Sequence, residues 1–108
     1  MNHAAILIYL LAAHAVCDYP LQGDYLSKAK NPWGGSGLIW IHALTAHAMI
    51  HAGAVLMVTG SVALALAEFV LHWLIDLGKC AGKYGYHTDQ AMHIACKLLW
   101  FAIATEVI

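Results

Sequence analysis

Four pairs of residues with acid, base or metal-ligand side chains recur at a spacing of four: His14 and Asp18, His47 and His51, His72 and Asp76, Asp89 and His93. On an α-helix, side chains four apart share one face about 6 Å from each other. A helix uses this spacing to offer two ligands to one metal or to set a carboxylate beside an imidazole. Neutral imidazoles and carboxylates suit zinc, manganese or iron. Eight candidates exceed one tetrahedral shell, so either two ions bind or some of the eight orient the ligands. Chains of His, Asp and Glu inside a membrane also build proton or cation relays. Bis-histidine haem ligation is a third chemistry, but it leaves the matched aspartates without a task and is set aside. Two further charges flank the pairs. Glu68 precedes His72 by one helical turn and Lys97 follows His93 by one, and each is expected to find a partner, most simply the other.

The elements that must carry these residues are apolar. Four such segments, about 3–19, 38–58, 61–78 and 90–108, each approach the ~17–25 residues that a membrane helix requires. Pro20, Pro32 and a run of glycines interrupt the chain between the first two, and GKCAGKYGYHT lies between the last two. Thr59, Gly60 and Ser61 leave room only for an antiparallel hairpin. Ala13-His14-Ala15 imitates a signal-peptide cleavage site, but no Lys or Arg precedes the apolar run, so the first segment is expected to remain as a helix.

Composition agrees with a lipid environment. Of the 108 residues, 62% are apolar and 10% charged, with five lysines, no arginine and six acids, too few to clothe the surface of a water-soluble domain. A net charge near zero excludes electrostatic attraction to nucleic acid. Cys17, Cys80 and Cys96 are odd in number and form no CxxC, which argues against a disulfide framework. The small residues Ala48, Ala52, Ala63 and Ala67 permit close helix contact without specifying a homo-oligomer.

The lysines outside the helices, Lys28, Lys30, Lys79 and Lys83, fall in the first and third connections. The positive-inside rule then places those connections in the cytoplasm and both termini outside. Asp18, Asp76 and Asp89 thereby lie near one membrane face, with His14, His72 and His93 one turn deeper. His47 and His51, about 13–20 Å along the second helix at ~1.5 Å per residue, form the floor of a polar pocket. Interhelical hydrogen-bonding glue, at about 0.6 kcal/mol on average, explains one or two such residues better than the whole set. His3, His42, His87 and the four tryptophans fit surface, loop or packing roles.

The blocks HAVCDYPLQ, HAMIH, HWLIDLGK and DQAMH, in this order, resemble the bacterial and phage membrane-protein family catalogued as domain of unknown function 3307. The resemblance spans nearly the whole chain and implies one architecture. It adds Gln22, Lys79 and Gln90 to the eight paired residues, although Pro20 separates Asp18 from Gln22. A looser similarity, in His and Asp usage on apolar helices, points to membrane-bound metal-dependent hydrolases.

The expectation is therefore an all-α, antiparallel four-helix transmembrane bundle over residues 1–108, a single multi-pass domain of the inner membrane. Its polar core binds a divalent metal, zinc before manganese or iron, through His14, Asp18, His47, His51, His72, Asp76, Asp89 and His93. The substrate would be a lipid or a lipid-linked phosphoester. Glu68 would serve as general base and Lys79 would hold an anionic headgroup. The alternatives are a non-enzymatic protein that conducts protons or ions or perturbs the membrane, and a structural subunit of a larger membrane complex.

Overall fold

A computed structural model describes residues 2–107. Five helices follow one another: α1 (His3–Asp18), α2 (Gly23–Ala29), α3 (Ile39–Thr59), α4 (Val62–Cys80) and α5 (Tyr86–Val107), with no strand among the described residues. The four apolar segments correspond to α1, α3, α4 and α5, though α5 starts a turn earlier than its apolar run and Ile108 lies outside the described residues.

Local chemistry sets the boundaries. Asn2 caps α1 by accepting from the Ala5 amide at 2.8 Å, and Ser61 caps α4 by accepting from the Leu64 amide at 3.2 Å. Gly60, at φ 69°, ends α3 in a left-handed cap with its N–H on the Leu56 carbonyl, so the expected short hairpin forms. Pro20 stands just past the end of α1, and the chain resumes at Gly23, φ +65°, as α2, bent 79° away.

The long helices close a ring in which α1 packs on α3 and α5, and α4 packs on α3 and α5, so every neighbour is antiparallel. Across the bundle the core divides in two. Ile6, Leu10, Val55, Leu64, Trp100 and Ala104 form the apolar half toward the chain ends. The half toward the α1–α2 and α4–α5 connections is filled by histidines, acids and lysines. The bundle measures 45 × 22 × 22 Å.

Among the described residues, only α3 meets both the length and the hydropathy expected of a membrane span. α1 does so only together with the bent α2. α4 carries Glu68, Asp76 and Lys79, and α5 carries Asp89, Lys97 and Glu106, so the residues that make the polar core also lower the hydropathy of the helices that bear it.

Gly78 lets the α4–α5 connection lie flat on α4. The Tyr84 hydroxyl donates to the Ile75 carbonyl, and a Cβ at Gly78 would meet the Tyr84 ring closer than van der Waals contact. Burial lifts the Tyr84 phenol above its ordinary value, with Asp89 and Asp76 adding to the effect, so it stays protonated as the donor. Gly78→Ala is expected to displace Tyr84 and lower stability by about 1–3 kcal/mol, read as an earlier thermal unfolding midpoint. An unchanged midpoint would show that this contact contributes nothing.

Candidate metal centre

All four helical pairs converge. Asp18, at the last turn of α1, sets Oδ1 2.9 Å from His51 Nε2 and 3.2 Å from His47 Nε2. Its Oδ2 accepts from Gln90 Nε2 at 2.8 Å and lies 3.5 Å from His14 Nε2. Asp76 lies opposite. Its Oδ2 is 3.5 Å from both His47 Nε2 and His72 Nε2, and its Oδ1 is 3.0 Å from His93 Nε2. Asp89 Oδ1 stands 3.3 Å from the same His93 nitrogen.

His47 and His51 do not form a floor beneath the acids but stand level with them. His47 comes eight residues into α3, so at ~1.5 Å per residue this helix extends roughly 12 Å beyond the level where α1 ends. The helices do not begin flush, so depth along each segment is not depth in the bundle.

Two sets of donor atoms lie within 4.8 Å of one another: Asp18, His47, His51 and His72 in one, and His72, Asp76 and His93 in the other. For comparison, ligand atoms of a tetrahedral zinc with ~2.0–2.1 Å bonds lie about 3.3 Å apart. The hydrogen bonds agree with a cation at the first set. His72 Nδ1 lies 2.9 Å from Glu68 Oε2, which as an acceptor assigns the proton to Nδ1 and leaves the Nε2 lone pair facing the centre. His72 Nε2 and His47 Nε2 are fully buried and have no hydrogen-bond partner, as is also true of Asp89 Oδ1. Buried polar atoms without partners cost about 1–3 kcal/mol each, and a shared cation relieves several together.

Charge points the same way. Asp18, Glu68, Asp76 and Asp89 face only two ammonium groups, Lys30 and Lys97, so with neutral imidazoles the cluster carries an excess of two negative charges. One divalent ion cancels that excess.

Glu68 stands behind His72. Its Oε1 accepts from Lys97 Nζ at 2.7 Å and Trp100 Nε1 at 2.8 Å, and its Oε2 faces His72. The expected pairing with Lys97 is present. With both oxygens engaged, Glu68 stands where it can orient His72 and is not among the residues that line the cleft described below. Lys79 is half-buried at the rim, its ammonium 5.3 Å from the centre of the Tyr86 ring.

Lys30 and Trp100 had no clear sequence signal, and Gln22 had only the family resemblance. Lys30, counted as a loop charge, is 5% exposed and donates to Asp76 Oδ2 at 2.8 Å and to Gln22 Oε1. Gln22 also donates to the Asp18 carbonyl at 3.0 Å, so it reaches the pocket despite Pro20. Trp100, read as a packing aromatic, holds Glu68. Lys30 and Gln22 flank a seven-residue helix set across the bundle, where no periodicity links them to the other helices. His3, His42 and His87 are exposed and away from the cluster.

A cleft of about 420 Å³ opens at the α1–α2 and α4–α5 end, with Asp18, Asp76, Asp89 and Gln90 on its floor and Lys30 and Lys79 on its walls. The hydroxyls of Tyr19 and Tyr86 meet at its mouth.

A family model for proteins of unknown function matches residues 6–107. The chain belongs to that family, DUF3307. No curated protein and no solved structure matches it. The span matched to DUF3307 contains every residue of the His/Asp cluster, together with Gln22, Lys30, Lys97 and Trp100.

Proposed function

We propose that this DUF3307 protein is a four-span integral membrane protein of the inner membrane that binds a divalent cation, zinc by its ligand types, and hydrolyses a lipid-linked phosphoester at the cytoplasmic face. The observation that carries the catalytic part is an open cleft, lined by Asp18, Asp76, Asp89 and two lysines, whose acids reach back to the buried histidines of the ion site. A divalent ion would polarise a phosphoryl oxygen and acidify water. Lys79 and Lys30 would hold the anionic group, and Asp89, with its free and buried Oδ1 at the cleft floor, would accept the proton expected earlier of Glu68.

The membrane reading is supported by the inverted distribution of side chains. Lys97, Glu68 and His72 are each 1% exposed, while Met57 is 87% exposed and Ile8, Val62 and Leu66 stand out along the same bundle. Its 45 Å length suits a bilayer with its headgroups, about 40–45 Å. Lys28, Lys79 and Lys83 remain at the cleft end after Lys30 is withdrawn into the core, which keeps that end cytoplasmic under the positive-inside rule.

The expected result is a protein that stays with carbonate-washed membranes and, in detergent, releases phosphate from a lipid phosphate. Chelation should abolish the release, zinc should restore it, and Asp89→Asn should lower it by about 10²-fold or more. Extraction by carbonate counts against the membrane assignment, and background hydrolysis of both lipid monoesters, read as free phosphate, and lipid diesters, read as the phosphomonoester formed, counts against the hydrolase.

A further inference from the structure

The donor atoms are more numerous than one ion needs, and they fall into two sets that share His72. His72 can serve only one of them. Its Nδ1 is committed to Glu68, so the ring has a single lone pair to give. With the first ion on Asp18, His47, His51 and His72, a second would have three donors, His93 Nε2 with Asp76 Oδ1 and Asp89 Oδ1 at 3.0 and 3.3 Å from it. That is the donor count of an open metal site.

An ammonium group already neutralises the aspartate that the second ion would share, from the side of His47 and His72. Lys30 Nζ lies 2.8 Å from Asp76 Oδ2, the carboxylate whose other oxygen faces His93. We infer that Lys30 is the second cation of a centre otherwise equipped for two metal ions, so that the site holds one divalent ion and one ammonium.

Placement of Lys30 is a property of the fold. The chain leaves α1 at Asp18, turns by 79°, and α2 brings residue 30 back under the cluster, where Gln22 Oε1 accepts a second of its hydrogens. An ammonium has three, so one remains for the cleft that Lys30 lines. In two-metal hydrolytic sites the second ion clamps an oxygen of the transferring group. The free N–H of Lys30 is positioned to do this for an anionic oxygen.

Charge enforces the count. The cluster has an excess of two negative charges with Lys30 in place, so one divalent ion neutralises it and a second would leave two uncompensated positive charges in a nearly dry core. Removing the ammonium raises the excess to three, and a second ion then becomes affordable.

This inference rests on the metal reading above, and one titration separates the two. Detergent-purified protein is loaded with zinc, passed over a desalting column and analysed for zinc per chain, as wild type and as Lys30→Met. The expected values are about one and about two. Should Lys30→Met not fold, Lys30→Gln, whose amide can still reach Gln22 and Asp76, takes its place. Two zinc ions in wild type, or one in both wild type and variant, overturns the assignment of Lys30 while leaving the metal site standing. No zinc in wild type removes the metal reading itself and this inference with it.

Discussion

Asp18→Asn protein is expected to keep its bundle and lose its ion, with zinc per chain falling to background and affinity dropping by at least ~100-fold. Residues that only orient ligands already change affinity by about 10–100-fold, and Asp18 is placed as a ligand. Its Oδ1 is the closest carboxylate oxygen to His51 and His47 of α3, at 2.9 and 3.2 Å. Its Oδ2 takes the Gln90 amide at 2.8 Å, which in turn sets the Gln90 oxygen 3.1 Å from His14 Nε2. An asparagine removes the negative charge and must turn its NH₂ either toward the imidazole nitrogens that should ligate or toward the NH₂ of Gln90. His72→Ala should have the same effect by deleting the ligand shared between the two donor sets. His42→Ala, on the exposed face of α3, should leave metal content unchanged. Elemental analysis of the three proteins decides the matter. Zinc in Asp18→Asn and His72→Ala equal to that in wild type would falsify the site.

The second large effect concerns folding. Lys97→Met is expected to destabilise the protein by about 3–5 kcal/mol, whereas the double replacement Glu68→Gln with Lys97→Met recovers most of that loss. Glu68 and Lys97 are each about 1% exposed and pair at 2.7 Å at the boundary between the apolar and polar halves of the core. Removing the lysine alone strands a carboxylate whose remaining donors, Trp100 Nε1 and His72 Nδ1, are neutral. Glutamine in its place still accepts from Trp100 through its oxygen and carries no charge to compensate. Unfolding followed in detergent provides the cycle. A single variant within about 0.5 kcal/mol of wild type, or a double variant whose loss is simply additive, would remove the pair from the account of stability.

Much of the site was legible because it is written along single helices. A spacing of four is local, so His14 with Asp18 or His72 with Asp76 can be recognised without knowing where the next helix packs. The hairpin at Gly60 and the break after Asp18 are equally local, one set by a left-handed glycine and the other accompanied by a proline. Glu68 could be paired with Lys97 from sequence because both are costly charges one turn further into the core than a His/Asp pair. Its role could not be read in the same way. Whether a carboxylate faces the cleft or the back of an imidazole depends on the rotation of α4 against α5, and that rotation is a packing outcome.

The sequence by itself determined the inventory: helical segments, four pairs aimed from their own helices, an acid and a lysine expected to meet, and a low content of charge. Tertiary structure alone decided the stagger that brings His47 and His51 level with Asp18, the retreat of Glu68 behind His72, and the burial of Lys30 on Asp76. The physical reason is the range of the interactions involved. Helix periodicity and capping act within about one turn and are visible in a short window. Register between helices, and the path of a seven-residue helix across them, follow from contacts between residues as far apart as Lys30 and Asp76, which no short window contains.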